Sequence, residues 1–225
     1  MEEDRVQDLV IHGAGSAAGG DYRDVKIKGA GKVAGGVSCR LFTVRGSSEV
    51  DGDLHAHKVE VTGTSVVRGQ LEANEVRLDG RIDIIGKLSG EGMKIRGEVR
   101  THGDCEAEFL DLRGKFSIDG LLNGGIIHLT LYGRSKAREI GGGTIRVRRK
   151  ASWIQAVLFK VGIDRHSAVL QVNTIEGDDL ELAYTHAKVV RGNHVRLGPG
   201  CKVERVEYSE LHLDQTSHVG EKVKR

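Results

Sequence analysis

The side chains best suited to bind a metal ion lie within one short stretch of the sequence. Asp51, Asp53, His55 and His57 form the pattern DxDxHxH, and on an ideal strand all four side chains would point to one side. Carboxylate and imidazole groups are ligands that zinc accepts. Gly52 breaks the strand pattern, however, and polar residues on an exposed surface need no metal to account for them. We therefore expect no metal site and no cofactor, with metal binding as the alternative.

A second candidate for chemistry is a dinucleotide-binding fingerprint near the N-terminus. Residues 13–18, Gly-Ala-Gly-Ser-Ala-Ala, fit GxGxxA after an apolar run. That motif needs a helix directly after it, whose N-terminus faces the pyrophosphate. Here the chain continues instead into the strand pattern of residues 25–27, Val-Lys-Ile. Neither a GxxxxGK[ST] loop nor a GxSxG elbow occurs, so we expect a protein that is not an enzyme and works without nucleotide.

The densest group of basic residues comes directly before an apolar stretch. Residues 148–167 lack the strand period, and their apolar side chains fall on one face of a predicted short helix. This segment is expected either to cap or dock against the rest of the protein or to lie on a membrane surface. The residues concerned are Arg146, Arg148, Arg149 and Lys150, followed by Trp153, Ile154 and Leu158.

The overall charge gives no sign of a nucleic-acid partner. The chain of 225 residues carries 34 basic and 32 acidic side chains, for a net charge of +2, whereas nucleic-acid binding favours a clustered basic face. Three cysteines without a CxxC spacing indicate neither a disulfide framework nor a zinc site. No apolar run approaches the roughly 18 residues of a membrane span. We expect a cytoplasmic protein, membrane-associated if the basic segment binds lipid.

These residues must be positioned by a repeat that runs through most of the sequence. Glycines recur every seventeen residues in two interleaved series, the first of which runs from Gly29 to Gly114. Apolar pairs such as Val59/Val61 precede the glycines of this series, and such alternation is the period of a half-buried strand. Two further apolar columns follow in each unit. Each unit therefore holds three short strands with glycine at the corners, as in one coil of a β-solenoid.

The repeat predicts an all-β protein in three parts. The main β-helix is expected over residues 1–147, with its regular coils at 25–133. The basic and amphipathic segment, 148–167, is the expected connection. From residue 168 the strand pattern resumes with looser spacing, which predicts a second, shorter solenoid-like array over 168–225.

The period changes near the end of the regular coils. After Gly120 the pattern slips by two residues, so that Leu129/Leu131 take the role of the apolar pair. Ile145/Val147 then begin one more coil in this interpretation.

The glycine-punctuated coils of residues 25–133, as in "VEVTGTSVVRGQLEANEVRLDGRIDIIGKLSG", resemble the bactofilins, bacterial polymer-forming cytoskeletal proteins. The C-terminal part is similar to the extension of longer members from Gram-positive bacteria. The resemblance implies a right-handed, three-sided β-helix that polymerises end to end, without nucleotide, into non-polar filaments. It implies scaffolds for cell shape, polar organisation or motility, with further copies of the protein, a membrane surface or other morphogenesis proteins as partners.

Polymer contacts are expected at the terminal coils. Each end of a β-solenoid presents unpaired strand edges beside an open apolar core, and repeated contacts that do not close into a ring give a filament. The expected interface residues are Leu9 and Ile11 at one end and Leu211, Leu213 and Val219 at the other.

Two other functions remain open on the residues alone. A left-handed β-helix acyltransferase would have coils of eighteen residues and a catalytic histidine on a loop or a neighbouring subunit. Six coils held at seventeen residues, without an insertion between Gly29 and Gly120, argue against it. A monomeric or oligomeric binding module that uses one flat face for a partner protein is the other alternative.

Overall fold

The computed structural model describes residues 7–150 and 168–225, which form ten β-strands and, within those ranges, no helix. The strands are β1 Leu9–Val50, β2 Leu54–Val67, β3 Leu71–Ile84, β4 Leu88–Thr101, β5 Cys105–Leu131, β6 Ser135–Arg149, β7 Leu170–Leu182, β8 Thr185–Leu197, β9 Lys202–Leu213 and β10 His218–Lys224.

Every strand pairs in parallel with the next one along the chain, so that the sheet order is β1 to β10 without a crossover. Pairing of each strand with its successor, through bent strands as long as 42 residues, requires the chain to wind in stacked coils. The predicted all-β solenoid is therefore confirmed, with about ten turns.

Burial along one coil explains the period of seventeen. In residues 59–75, inward side chains occur in three pairs, one on each side of the coil, and outward corner residues separate them. The first, second and third corners contain three, three and two residues, at 62–64, 68–70 and 74–75. The pairs on the first, second and third sides are Val59/Val61, Ser65/Val67 and Leu71/Ala73.

Glycine at the first corner is required by two independent constraints. Gly97 has a φ of +132°, a backbone conformation that residues with a Cβ rarely adopt. A Cβ at Gly97 would also collide with the carbonyl oxygen of Gly80, which lies directly beside it in the preceding coil. The whole first glycine series therefore forms one column in which each member leaves no space for a side chain on the next.

The core contains two columns that the sequence pattern did not reveal. The second side adds a column that includes Ile82, Val99 and Phe116, all buried. The same column contains two serines before Ile82, and the hydroxyls of Ser48 and Ser65 lie 2.8 Å apart in the interior, where they satisfy each other. The third side adds a column of small residues, mostly alanine and glycine.

Coils differ in length because their corners contain different numbers of residues, whereas each side keeps its inward pair. Residues 130–134 enlarge the first corner, so the inward pair before them is Ile127/Leu129. The prediction of Leu129/Leu131 as that pair was wrong, because extra residues enter the corner after the pair, and Leu131 becomes a buried corner residue. Ile145/Val147 do begin the next coil, opposite Ile127/Leu129.

The prediction of a second solenoid was wrong. β7 pairs directly with β6, with Ile140 opposite Ile175 and Val147 opposite Leu182. The strands after residue 168 therefore continue the same stack. The shorter spacing that suggested a separate array arises because corners lose residues: all three corners of the coil 180–194 contain two residues.

The predicted helix at 148–167 is not supported at its start. Arg146, Arg148 and Arg149 belong to β6, which continues the sheet to Arg149. Residues 151–167, with Trp153, Ile154 and Leu158, lie outside the described residues.

We predict that Gly97→Ala destabilises the fold by about 2 to 4 kcal/mol, because it forces a strained φ and a backbone collision. Urea unfolding followed by circular dichroism measures the loss. The control is Gly92→Ala, since a Cβ at Gly92 meets no atom within 4 Å. Equal stability of the two variants would contradict the glycine-column explanation.

Candidate assembly surfaces

The four residues of the DxDxHxH pattern do not converge on a common point. Within the described residues, no group of three or more potential ligands could hold a metal ion. Each side chain instead contacts a different neighbour on an adjacent coil. The contacts are Lys32 and Arg68 for Asp51, the Gln70 amide for Asp53, Glu72 for His55 and Asn74 for His57.

The glycine-rich residues 13–18 lie inside β1, in the first coil of the stack. Gly13 lies beside Gly29 of the next coil. The chain therefore continues as a strand after this motif, and the helix that a dinucleotide fingerprint requires does not follow it.

The cysteines are placed as packing residues. Burial raises the pKa of the Cys105 thiol to about 12 and that of Cys39 to about 11. Burial also raises the pKa of Cys201, whose sulfur lies 3.2 Å from the Leu182 carbonyl oxygen. A nucleophilic cysteine needs a lowered pKa and access to solvent, so none of the three has the environment of a catalytic thiol.

At the N-terminal end, the first coil places apolar side chains at the edge of the stack. Leu9 and Ala17 are partly buried against the core, and Ile11 is 7% exposed. The coil is tied to the next one by a hydrogen bond from the Arg23 amide to the Gln7 carbonyl oxygen, at 3.0 Å. Among the described residues, no strand pairs with the outer side of this coil.

At the C-terminal end, the final coil leaves apolar surface partly open. Leu211 and Leu213 lie opposite Val195 and Leu197 of the preceding coil, and Leu213 is 39% exposed. Val219 is partly buried opposite Val203. The two groups of predicted interface residues thus lie at opposite ends of one rod.

At the C-terminal end, lysines occupy the last positions of the two inward columns on the third side, where earlier coils have apolar residues. The sequence pattern did not reveal these lysines. Lys222 lies opposite Val206 and Lys224 opposite Tyr208. Val206 and Tyr208 pack in the core, so the next positions in their columns carry cations at the outermost strand. Lysines at strand edges oppose indiscriminate pairing. The C-terminal end therefore combines an apolar part and a charged part, and register with β9 was needed to detect it.

A buried carboxylate fastens this terminal coil. Glu207 is 4% exposed and accepts hydrogen bonds from Arg191 at 3.0 Å, from Arg205 at 2.9 Å, and from Arg225. Arg191 above all holds the pKa of Glu207 below its usual value. Because the three arginines come from β8, β9 and the residue after β10, one carboxylate links three layers of the stack.

The basic residues ahead of residue 151 do not form one uniform group. Arg146 and Arg148 both approach Glu181, at 3.4 and 3.1 Å. Arg149 stacks over the ring of Tyr184, 3.9 Å from its centroid. Lys150 lies 4.6 Å from the centre of another tyrosine ring, on the preceding coil. The described residues contain no helix of the length and apolarity needed to cross a bilayer.

Comparison with known sequences agrees with this architecture. Residues 6–89 match the family model described as Bactofilin, polymer-forming cytoskeletal. Residues 6–89 are thus similar to a bactofilin domain. The match covers the first coils, and the same parallel ladder continues beyond it through β10. The resemblance identified from the glycine-punctuated coils is thereby confirmed.

Two relatives come from Bacillus subtilis strain 168, and both are described as uncharacterized proteins. YhbF is 41% identical over 107 residues, which are 47% of this chain and 42% of the relative. YhbE is 41% identical over 93 residues, 41% of this chain and 37% of the relative. The matched part thus spans less than half the length of either relative. No solved structure matches the chain significantly.

We predict that Glu207→Gln loosens β10, because a neutral amide cannot hold three guanidinium groups as a carboxylate does. Hydrogen exchange of the β10 amides should be faster in the variant than in the wild type at neutral pH. The folded-state pKa of Glu207 is lowered, so its stabilisation is complete above the unfolded pKa and is lost as pH falls through the folded pKa. The difference between the two proteins should shrink over that acidic interval.

The matched control for this experiment is Glu204→Gln. Glu204 lies in the same strand but is exposed, so its replacement should leave exchange in β10 unchanged. Equal exchange in Glu207→Gln and the wild type at neutral pH would show that this carboxylate does not fasten the end.

Proposed function

We propose that this protein is a non-enzymatic structural subunit that self-assembles end to end, without nucleotide or metal, into filaments or scaffolds. The observation that carries the proposal is the sheet order, in which β1 and β10 are the two outermost strands of one parallel stack. The similarity of residues 6–89 to a bactofilin domain supports it, since that family is described as polymer-forming and cytoskeletal.

Outer strand edges supply the directional part of the contact. A strand at a sheet edge presents unpaired N–H and C=O groups that can pair with another chain. Both ends of this rod have such an edge within the described residues. Contacts between unlike ends, or alternating contacts between like ends, would each extend the rod without closing a ring.

Terminal apolar side chains supply the second part of the contact. The apolar columns of the first side run to both ends, and Leu213 is 39% exposed where its column stops. Another copy that continues these columns would bury that surface, at about 25 cal/mol per Å² of apolar area removed from water. The surface is already formed in the folded subunit, so this mode of assembly needs no nucleotide-driven change of shape.

The two alternative functions, an acyltransferase and a binding module, require other features of the rod. Coils of seventeen residues, with the shorter ones near the C-terminus, do not follow the three six-residue units of a left-handed acyltransferase. A binding module would remain a discrete particle with both ends covered. The described terminal coils leave apolar edges instead, and this favours assembly. The resemblance suggests a scaffold for cell shape, polar organisation or motility.

We predict that Leu213→Arg abolishes filaments, because it places a cation on the apolar part of the C-terminal end. Electron microscopy and pelleting measure assembly, while far-UV circular dichroism should remain that of the wild type, since Leu213 is already 39% exposed. Ile11→Arg tests the other end and should also stop growth.

The control is Ile85→Arg, because Ile85 is 48% exposed but lies at the second corner in the middle of the rod. It changes size and charge in the same way and should leave assembly intact. Normal filaments from both end variants, or equal loss of filaments in the control, would contradict an interface at the ends.

A further inference from the structure

Positive and negative side chains are distributed unevenly around the rod, although their numbers nearly cancel to a net charge of +2. Across the four coils that begin at residues 93, 110, 127 and 145, the first corner contains a single acidic residue among the described positions, Glu98. Most of the basic residues at this first corner form a set that we call the basic edge. The basic edge consists of Arg96, Arg113, Lys115, Arg134, Arg149 and Lys150.

The other two corners of the same four coils do not share this charge. The third corner contains Glu108, Asp178 and Asp179 and no lysine or arginine. The second corner carries three acidic residues and a single basic one, Arg138. Among the corners of these coils, the cations are therefore concentrated at the first one.

Most of the basic edge is free of ion pairs: among the described residues, only Arg113 is paired, with Asp111 at 2.9 Å. Within the described residues, no carboxylate lies within 4.0 Å of Arg96, Lys115 or Arg134. Glu98, the acidic neighbour, is bound to Arg100 at 2.8 Å. Clustered cations repel one another, so a run of unneutralised ones is more favourable when an external anion is present.

An aromatic side chain lies in the middle of the basic edge. Tyr132 is 43% exposed and lies at the enlarged first corner, where Lys150 covers its ring at 4.6 Å. Tyrosine and tryptophan are enriched at membrane–water interfaces, where an apolar ring and a polar tip are both accommodated. Cations around an exposed tyrosine fit a surface with anionic headgroups above an apolar layer.

Two described strands, β6 and β7, meet this edge with their ends. Leu131 lies opposite Arg149, Ser135 lies opposite Leu170, and the Lys150 amide donates to the Leu131 carbonyl oxygen at 3.0 Å. β6 therefore ends, and β7 begins, at the basic first corner.

We propose that the basic edge is a docking surface for an anionic lipid bilayer. Successive coils lie about 4.8 Å apart, so four coils align these cations along a straight line of about 15 Å. A convex, straight edge can contact a flat surface along its full length. Each lysine or arginine close to an anionic leaflet contributes about 1 kcal/mol of attraction, and end-to-end assembly would repeat the edge along the filament.

The test is flotation of the full chain with phosphatidylcholine vesicles that do or do not contain phosphatidylserine. The variant combines Arg96→Gln, Lys115→Gln and Arg134→Gln, and its partitioning onto anionic vesicles should fall about a hundredfold, from the loss of three cations. The matched control combines Arg77→Gln, Lys188→Gln and Lys202→Gln, which removes the same charge from exposed residues elsewhere.

Binding that requires phosphatidylserine, weakens with added salt, disappears in the edge variant and persists in the control would support the proposal. Absence of wild-type binding, equal loss in both triple variants, or binding to duplex DNA without binding to vesicles would overturn it. All proteins are also pelleted without vesicles and assayed in the Leu213→Arg background. A failure of assembly is thus distinguished from a failure of lipid binding.

Discussion

The parallel hydrogen-bonded ladder between successive coils is the constraint on which the rest of the structure depends. Each residue lies beside its equivalent in the next coil, as Gly63 lies beside Gly80 and Val67 beside Ile84. A residue type is therefore acceptable only if it also fits next to its own counterpart. At the glycine position of the first corner this rule excludes every side chain except hydrogen, and at inward positions it produces apolar columns.

The same ladder separates the parts of the chain that maintain the fold from those that can vary. The sides keep their inward pairs throughout, whereas the corners range from two residues, as at 74–75, to the long connection after Val147. Changes at a corner leave the register of the sides intact on the following coil. Charge at the corners, and exposure at the two ends, can therefore serve assembly and binding with little cost to the core.

The sequence was sufficient for features that repeat locally. Glycine and apolar periodicity predicted the solenoid, its coil length and the position of the terminal coils, because each coil repeats the same short-range pattern. It was insufficient where a corner changed length: the enlarged corner at 130–134 shifted the apparent pair to Leu129/Leu131, and shortened corners suggested a second array. Lys222 in a core column, and the clustering of cations on one edge, required the register between strands that are distant in sequence.

Electron microscopy of the purified protein, without nucleotide or metal, tests the central claim most directly when the filament images are analysed for axial periodicity. Coils stacked along the filament predict straight, unbranched filaments whose transforms contain a meridional reflection at about 4.8 Å, the spacing of hydrogen-bonded strands. Discrete particles, or filaments with that reflection perpendicular to the axis, would contradict end-to-end stacking of one continuous solenoid.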